Sequence, residues 1–264
     1  GGAWGGRSGG SEEGPRRFMA EHSHYTEDLA FWSACAARLG SPVLDLGAAA
    51  GRVTLALARD GHEVWALDRS PDMLAEIARR LDGEPPEVRA RVTTVRGELQ
   101  TLDLDRRFPL VMVAMNTLQV LTEPADRLEC LTRVRAHLAD GGELIFDVAL
   151  PDVVEITGSM GVERSGGSVR DAATGVTMVH SAWYDSWDAA TGTLEFTLRI
   201  VERARDGATR QTLRHHRVHL FSPDEIGDLL TRAGLVPVAV TGDFDGSPIG
   251  PYSERQIHRC RAAA

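Results

Sequence analysis

The sequence predicts an α/β protein built on a mostly parallel sheet with helices on both faces. Strand-like and helix-like segments alternate over residues 42–148, a pattern typical of parallel strands joined by helices. Residues 108–115 are apolar throughout, as expected for a strand buried on both faces. After residue 151 the pattern changes to strand-like segments separated by short turns, which predicts an antiparallel meander. We therefore expect a doubly wound, seven-stranded sheet ending in an antiparallel hairpin, with the meander inserted after strand five.

The first half of the chain supplies five of the seven strands. Residues 1–16 are predicted to be a disordered, glycine-rich tail, and residues 17–39 have the apolar spacing of one helix. Ser70 and Pro71 are typical of the start of a helix, as its N-cap and first residue. The predicted strands are residues 42–46, 62–67, 91–96, 108–115 and 143–148, and the helices between them are residues 52–60, 70–81 and 126–138.

The second half divides into an insertion and a return to the main sheet. Residues 152–175 are rich in glycine, serine and arginine and have weak periodicity. The meander strands are predicted at 176–184, 193–203 and 210–221, followed by a helix at 222–234 and strands at 236–240 and 254–259. This divides the chain into a tail (1–16), a ligand-binding core with an N-terminal helix (17–151), a substrate-side lid (152–221) and the C-terminal part of the core sheet (222–264).

Composition excludes several functions. The net charge is −9, which argues against binding of nucleic-acid phosphates. All 29 basic residues are arginine, so lysine-dependent Schiff-base and phosphate-loop chemistry are excluded. No apolar run could span a membrane and no signal peptide is evident, so we expect a cytoplasmic protein. We also expect no metal site, because His215 and His219 would lie about 13 Å apart on one strand.

The informative motif is a strand, a turn of small residues and a helix, with an acid at the end of the next strand. The turn runs from Gly47 to Gly51, and small residues there let a ligand approach the helix N-terminus. Asp68, at the end of the second strand, is placed to bind ribose hydroxyls. Both dinucleotides and S-adenosylmethionine suit this geometry. Asp45 favours S-adenosylmethionine, because its carboxylate would repel a pyrophosphate but attract the ammonium group of the methionine part.

Residues 43–52 read Val-Leu-Asp-Leu-Gly-Ala-Ala-Ala-Gly-Arg and resemble motif I of the class I S-adenosylmethionine-dependent methyltransferases. Ala49 departs from that motif, where glycine is usual. Residues 66–74, 97–99, 115–119 and 138–142 resemble later segments of the family, and residues 242–255 resemble the final hairpin of its actinobacterial small-molecule branch. The resemblance covers residues 18–260. It implies a Rossmann-like fold and S-adenosylmethionine as the cofactor.

The resemblance also implies which residues hold the cofactor. Asp68 would bind the ribose, Met73 would pack near the adenine, Glu98 would accept the adenine amino group, and Tyr25 would close over the cofactor. Related sequences often have a histidine where this chain has Val120. The full predicted set is Tyr25, Asp45, Gly47, Ala48, Ala49, Gly51, Asp68, Arg69, Met73, Gly97, Glu98, Leu99, Met115 and Asn116.

Candidates for catalysis and substrate binding are less specific. Methyl transfer needs a general base only when the acceptor must lose a proton. The histidines considered for that role are His24, which adjoins Tyr25, and His216 and His219 in the last meander strand. Packing in the meander is the alternative for each of the two strand histidines. The candidate substrate-binding residues are Gln119, Trp183 and Tyr184.

The sequence therefore predicts an enzyme that transfers a methyl group to a nitrogen or oxygen of a small molecule, with an intermediate of secondary metabolism as the expected acceptor. The expected partners are that acceptor, no nucleic acid and no membrane, with the chain a monomer or a homodimer. Three alternatives stay open. The chain could be a nucleic-acid or protein methyltransferase, an S-adenosylmethionine-binding protein that does not methylate, or a nicotinamide-dependent oxidoreductase.

Overall fold

The computed structural model describes residues 14–15, 18, 22, 25–150, 152–171 and 174–263. Its helices are α1 (Leu29–Leu39), α2 (Arg52–Arg59), α3 (Pro71–Leu81), α4 (Pro86–Arg89), α5 (Pro124–His137), α6 (Val153–Gly158) and α7 (Pro223–Arg232). Its strands are β1 (Val43–Leu46), β2 (Val64–Asp68), β3 (Val92–Arg96), β4 (Phe108–Val113), β5 (Leu138–Ala149), β6 (Arg164–Arg170), β7 (Thr177–Asp188), β8 (Thr193–Arg203), β9 (Thr209–His219), β10 (Leu235–Thr241) and β11 (Arg255–Ala262). No helix in these ranges is long and apolar enough to cross a membrane.

The main sheet has seven strands in the order β10-β11-β5-β4-β1-β2-β3. Strand β1 lies at the centre of the parallel part, and its Asp45 is opposite Ala66 of β2 and Met112 of β4. Strand β11 runs antiparallel to both β5 and β10, which forms the terminal hairpin. The predicted Rossmann-like, doubly wound α/β fold is confirmed.

Two apolar layers cover the faces of this sheet. On one face, Trp32 of α1 and Leu57 of α2 pack against the central strands and are completely buried. On the other face, Leu131 of α5 and Leu230 of α7 pack against Phe146 of β5. Burial on both sides explains why β1 and β4 are uniformly apolar except for a single acid, since each position must exclude water.

The helix predicted over residues 17–39 is interrupted. Residues 18 and 22 are helical, Tyr25 and Thr26 are not, and α1 begins at Leu29. The Tyr25 carbonyl accepts a hydrogen bond from Arg52, and the Leu29 N–H bonds to Thr26 instead of Tyr25, so the helical ladder is interrupted there. The predicted tail lies outside the described residues, apart from residues 14–15, which are helical.

A second sheet, in the order β6-β7-β8-β9, occupies the chain between α6 and α7. It is an antiparallel meander, as predicted, but it has four strands instead of three. Strand β6 was missed because its sequence, Arg-Ser-Gly-Gly-Ser-Val-Arg, has two glycines and no apolar alternation. It is an edge strand with almost every residue exposed, so it needs no buried face to form.

Candidate active site

A cavity of about 360 Å³ opens at the carboxyl ends of β1, β2, β3 and β4. Each of these strands is followed by a loop whose residues line it, so four consecutive strand ends contribute to one site. Ligands of open α/β sheets bind at this edge, where the loops diverge from the sheet. Phe18 of the N-terminal segment, residues 120–123 and Asp126 around the start of α5, and Arg217 of the second sheet also line the cavity.

The turn after β1 is held close to the loop after β4. Gly47 has φ +75, and a β-carbon there would overlap Thr117 Cγ2. The Gly47 N–H donates to the Leu67 carbonyl of β2 (2.8 Å). Glycine is therefore required at this position both for the left-handed backbone and for the approach of the second loop.

Asp68 connects the turn after β1 with the start of α3. Its carboxylate accepts the Ala49 N–H (2.9 Å) and the Ser70 N–H (2.8 Å) while it lines the cavity. Two charge-assisted bonds to backbone fix the orientation of the carboxylate. An acid held in this way presents its remaining lone pairs to a ligand without further ordering.

Asp45 is the one acid inside β1, and it lies at the base of the cavity with 3% exposure. Thr54 Oγ1 donates to it (2.6 Å). Burial raises the pKa of Asp45 to about 6, and the Thr54 hydrogen bond and the nearby Arg52 only partly offset that effect. The carboxylate is therefore charged at neutral pH but close to its titration.

The loop after β4 contains two successive strained residues. Met115 (φ +56) and Asn116 (φ +59) both occupy the left-handed region. This conformation costs a residue with a β-carbon about 1–2 kcal/mol. The buried carboxylate of Asp147 in β5 accepts both of their N–H groups, at 2.8 and 3.3 Å. Burial raises the pKa of Asp147 to about 6. Asp147 therefore stabilises the conformation that brings Met115 to the cavity wall.

Arg52 is a cavity-lining residue that the sequence analysis did not single out. Its guanidinium binds both carboxylate oxygens of the fully buried Asp28 (2.5 and 2.7 Å) and stacks on the Tyr25 ring, 5.1 Å from its centroid. The Tyr25 hydroxyl in turn accepts a hydrogen bond from Arg255 (2.7 Å). The position of Arg52 directly after the glycine turn is the sequence feature that could have identified it, because the residue at that position begins α2 beside the cavity.

Known proteins share this core. A family model described as a methyltransferase domain matches residues 43–142. The cypemycin N-terminal methyltransferase of a Streptomyces species is 27% identical over 221 residues, which cover 83% of this chain and 82% of that protein. The carboxy-S-adenosyl-L-methionine synthase of Chromohalobacter salexigens is 37% identical over 125 residues, but the match spans only 45% of this chain and 44% of that enzyme.

Solved structures extend the similarity to the whole fold. The CcbJ methyltransferase from Streptomyces caelestis has a TM-score of 0.73 and 25% identity, covering 91% of this chain and 98% of that one. The glycopeptide N-methyltransferase MtfA, solved with S-adenosyl-L-methionine, has a TM-score of 0.58 and 26% identity over 90% of this chain and 96% of that one. Residues 43–142 form a methyltransferase domain of the class I S-adenosylmethionine-dependent type. Its cofactor is S-adenosylmethionine.

The cavity of this methyltransferase brings together most of the residues predicted to bind the cofactor. Tyr25, Gly51 and Asn116 are the three that do not line it: Tyr25 lies behind Arg52, Gly51 caps α2, and the Asn116 N–H is directed to Asp147. The predicted residues that line the cavity are Asp45, Gly47, Ala48, Ala49, Asp68, Arg69, Met73, Gly97, Glu98, Leu99 and Met115.

The two strand histidines predicted as catalytic bases, His216 and His219, do not line the cavity. His24 lies outside the described residues. His216 is buried on the face of β9 opposite to the one that carries Arg217, where it stacks on Phe196 with ring centroids 4.8 Å apart. His219 is 2% exposed and contacts Glu225 (2.6 Å), and burial lowers its pKa. Both strand histidines are therefore buried: His216 packs on Phe196 of β8, and His219 lies between Phe221 and Glu225.

The substrate candidates also lie away from the cavity wall. Gln119 is completely buried, and its amide donates to the His219 carbonyl (2.9 Å) and accepts the Ala149 N–H (3.0 Å). Tyr184 packs on the apolar face of the second sheet. Trp183 is on the other face of that sheet and donates its indole N–H to Asp185 (2.8 Å). The prediction that Gln119 contacts substrate is corrected, since both ends of its amide bind backbone.

Proposed function

We propose that this methyltransferase transfers a methyl group to an amine nitrogen of a small-molecule acceptor. The supporting observation is the excess of acid in the cavity wall. Its three arginines have acidic partners: Arg52 pairs with Asp28, Arg69 lies 3.9 Å from Glu98, and Arg217 lies 3.5 Å from Glu123. The lining carboxylates without an arginine partner among the described residues are Asp45, Asp68 and Asp126.

Asp45 and Asp68 are assigned to the cofactor, so Asp126 is the carboxylate of this group that remains for the acceptor, and it favours an amine-bearing acceptor over an anionic one. The net charge of −9 also disfavours a nucleic-acid acceptor. The N-methyltransferases among the similar proteins act, by their names, on the cypemycin N-terminus and on a glycopeptide. Their similarity supports an amine acceptor here, of a class that ranges from modified peptides to glycosides.

The residues present fit the cofactor. Asp68 is oriented for ribose hydroxyls and Asp45 for an ammonium group, and Gly47 allows the loop after β4 to approach the turn closely. When bound, S-adenosylmethionine supplies a methyl group on a sulfonium, which is already a good leaving group. The chain has to align the acceptor nitrogen and exclude water, so orientation supplies most of the rate.

No histidine is among the described residues that line the cavity, and Val120 stands in its wall. The acidic wall would hold the acceptor, while Asp147 keeps the loop at Met115 in place. We therefore expect that the amine binds and loses its proton to solvent or to a cavity carboxylate. No histidine base is required.

The test begins with the cofactor. Calorimetric titration with S-adenosylhomocysteine should show that Asp68→Ala binds at least about tenfold more weakly than wild type, a loss of roughly 1.4 kcal/mol. Asp82→Asn is the matched control, because Asp82 is exposed at the end of α3, outside the cavity. Equal affinity for wild type and Asp68→Ala would contradict the assignment of Asp68.

The acceptor class is tested by mass spectrometry after incubation with S-adenosylmethionine and matched primary amines, phenols and carboxylic acids. Methylation of amines in preference to phenols would support the proposal. Methylation of phenols alone would replace it with O-methyl transfer. Cofactor binding without methylation of any acceptor class would instead favour the non-methylating alternative, which the partial match to the carboxy-S-adenosyl-L-methionine synthase keeps open.

A further inference from the structure

The second sheet has a polar face whose side chains form ordered rows. The strand register places Trp183, Thr197 and His215 side by side across β7, β8 and β9. In the next row, Glu195 of β8 is opposite Arg217 of β9. We call the surface formed by Trp183, Asp185, Thr197, His215 and Arg217 the Trp183 face. The opposite face is apolar and packs on α6.

The Trp183 face continues the wall of the cofactor cavity. Along β9, alternate residues point to this face. His219 is buried where the sheet meets α7, Arg217 lines the cavity and contacts Glu123, and His215 is exposed beyond the rim. Two residues along a strand span about 7 Å. The row that contains His215 and Trp183 therefore lies one step outside the cavity.

A β-bulge shapes this row. The register of β7 against β8 shifts between Tyr184 and Ser186, so Asp185 has no partner in β8. Its carboxylate accepts the Trp183 indole N–H (2.8 Å) and the hydroxyl of the fully buried Thr197 (2.6 Å). Bulges of this kind redirect a side chain and are frequent beside active sites.

The hydrogen bonds define which tautomer His215 holds. Because the Thr197 hydroxyl proton is donated to Asp185, the contact between Thr197 Oγ1 and His215 Nδ1 (2.8 Å) requires that Nδ1 carry the proton. With the proton on Nδ1, a neutral imidazole has its lone pair on Nε2. The chain Asp185–Thr197–His215 thus fixes a hydrogen-bond acceptor in the same row as the partly exposed Trp183, two strands away from it.

We propose that the Trp183 face binds the body of the methyl acceptor while its amine lies in the cavity. This rests on the proposed function and adds the shape of the substrate. The acceptor carries a ring that stacks on Trp183 and an O–H or N–H group that donates to His215, each about 7 Å or more from the reacting nitrogen. Peptides and glycosides with a free amine have these features, whereas small alkylamines do not.

The test measures binding of three probe amines to the protein saturated with S-adenosylhomocysteine. Gly-Gly-Phe-amide has a ring and amide donors at the required distance, Gly-Gly-Ala-amide lacks the ring, and glycinamide lacks both. Wild type should bind the phenylalanine probe about fivefold more tightly than the alanine probe, and Trp183→Ala should abolish that ratio. His215→Ala should weaken both tripeptides about fivefold and leave glycinamide unchanged.

His62→Ala is the control, because His62 precedes β2 at the opposite edge of the sheet, where it contacts Ser41. It should bind all three probes like wild type, and thermal melting should show that every variant is folded. Any of three results would overturn the proposal. They are a ratio that persists in Trp183→Ala, a His215→Ala variant that binds the tripeptides like wild type, and no tripeptide binding by wild type at millimolar concentration.

Methyl transfer to the same probes is measured in parallel. Binding in the expected pattern without methylation would overturn the proposed function and leave the Trp183 face as a binding site.

Discussion

Ala49 has a backbone conformation that is costly for any residue with a β-carbon. Its φ is +46, and its N–H is held by Asp68. The left-handed region costs about 1–2 kcal/mol, whereas the additional entropy of an unfolded glycine costs about 0.5–1 kcal/mol. We expect Ala49→Gly to raise the free energy of unfolding by up to about 1 kcal/mol, measured by urea denaturation. A loss of stability of that size would show that the Ala49 methyl group makes packing contacts that outweigh the strain.

Asp45 should make cofactor binding depend on pH. Its pKa is raised to about 6 by burial, so the carboxyl is neutral below that pH and cannot attract an ammonium group. The affinity for S-adenosylhomocysteine should be constant above pH 7 and fall up to about tenfold for each pH unit below 6. Asp45→Asn should bind more weakly at pH 7.5 and show a shallower profile over the same range, with the dependence that remains coming from Asp147. A wild-type profile that stays flat down to pH 5 would exclude Asp45 as the partner of the ammonium group.

At the scale of the elements, Glu143 connects α1, β5 and β11. Its buried carboxylate binds Arg38 (2.6 Å), Arg259 (3.1 Å) and Arg261 (2.8 Å), and these arginines hold its pKa at about 2 despite burial. Because that pKa is below the unfolded value, the stabilisation is complete above about pH 4.5 and is lost as pH falls towards 2.

Glu143→Gln should therefore lower the free energy of unfolding at pH 7 by about 2–3 kcal/mol, since three guanidinium groups lose their common partner. The partial exposure of the arginines keeps the loss below that of a fully buried network. Glu129→Gln is the control, because the Glu129–Arg133 pair on α5 is exposed and is worth at most about 0.5 kcal/mol. Equal losses in the two variants, measured by urea denaturation, would contradict this role for Glu143.

At the scale of the whole molecule, Gln119 ties the two sheets together. Its amide joins the loop after β4 to β9 through His219 and to the end of β5 through Ala149. Gln119→Leu keeps the volume but leaves two buried backbone groups unpaired, so it should cost about 2–4 kcal/mol of unfolding free energy. Gln211→Leu, at an exposed position of β9, should change it by less than about 0.5 kcal/mol.

The same variant separates cofactor binding from methyl transfer. In Gln119→Leu we expect S-adenosylhomocysteine affinity to stay within about threefold of wild type, because the cofactor residues lie on the first sheet. Methyl transfer to an accepted amine should fall further than that, because the second sheet is no longer held against the cavity. Parallel losses in binding and rate would show that Gln119 supports the cofactor site itself.

Much of the fold could be predicted because strands and helices alternate along the chain and the central strands β1 and β4 are almost entirely apolar. The order of strands and helices, the hairpin and the position of the meander all follow from patterns within about 15 residues. Strand β6 and the true start of α1 could not be predicted in this way. The first is stabilised by its pairing with β7, and the second by Arg52, which takes the Tyr25 carbonyl from the helix.

The sequence by itself determined the cofactor core, because the Asp45–Gly51 turn and Asp68 lie within one strand-turn-helix-strand unit and need no distant partner. Only the tertiary structure decided which residues complete the cavity. It buries Gln119 between the sheets and brings Arg217 to the cavity from almost 100 residues away, the latter in contact with Glu123. The tertiary structure also decided which face of the meander each histidine occupies. Successive side chains of a strand point to opposite faces, and the strand register determines which face each residue lies on.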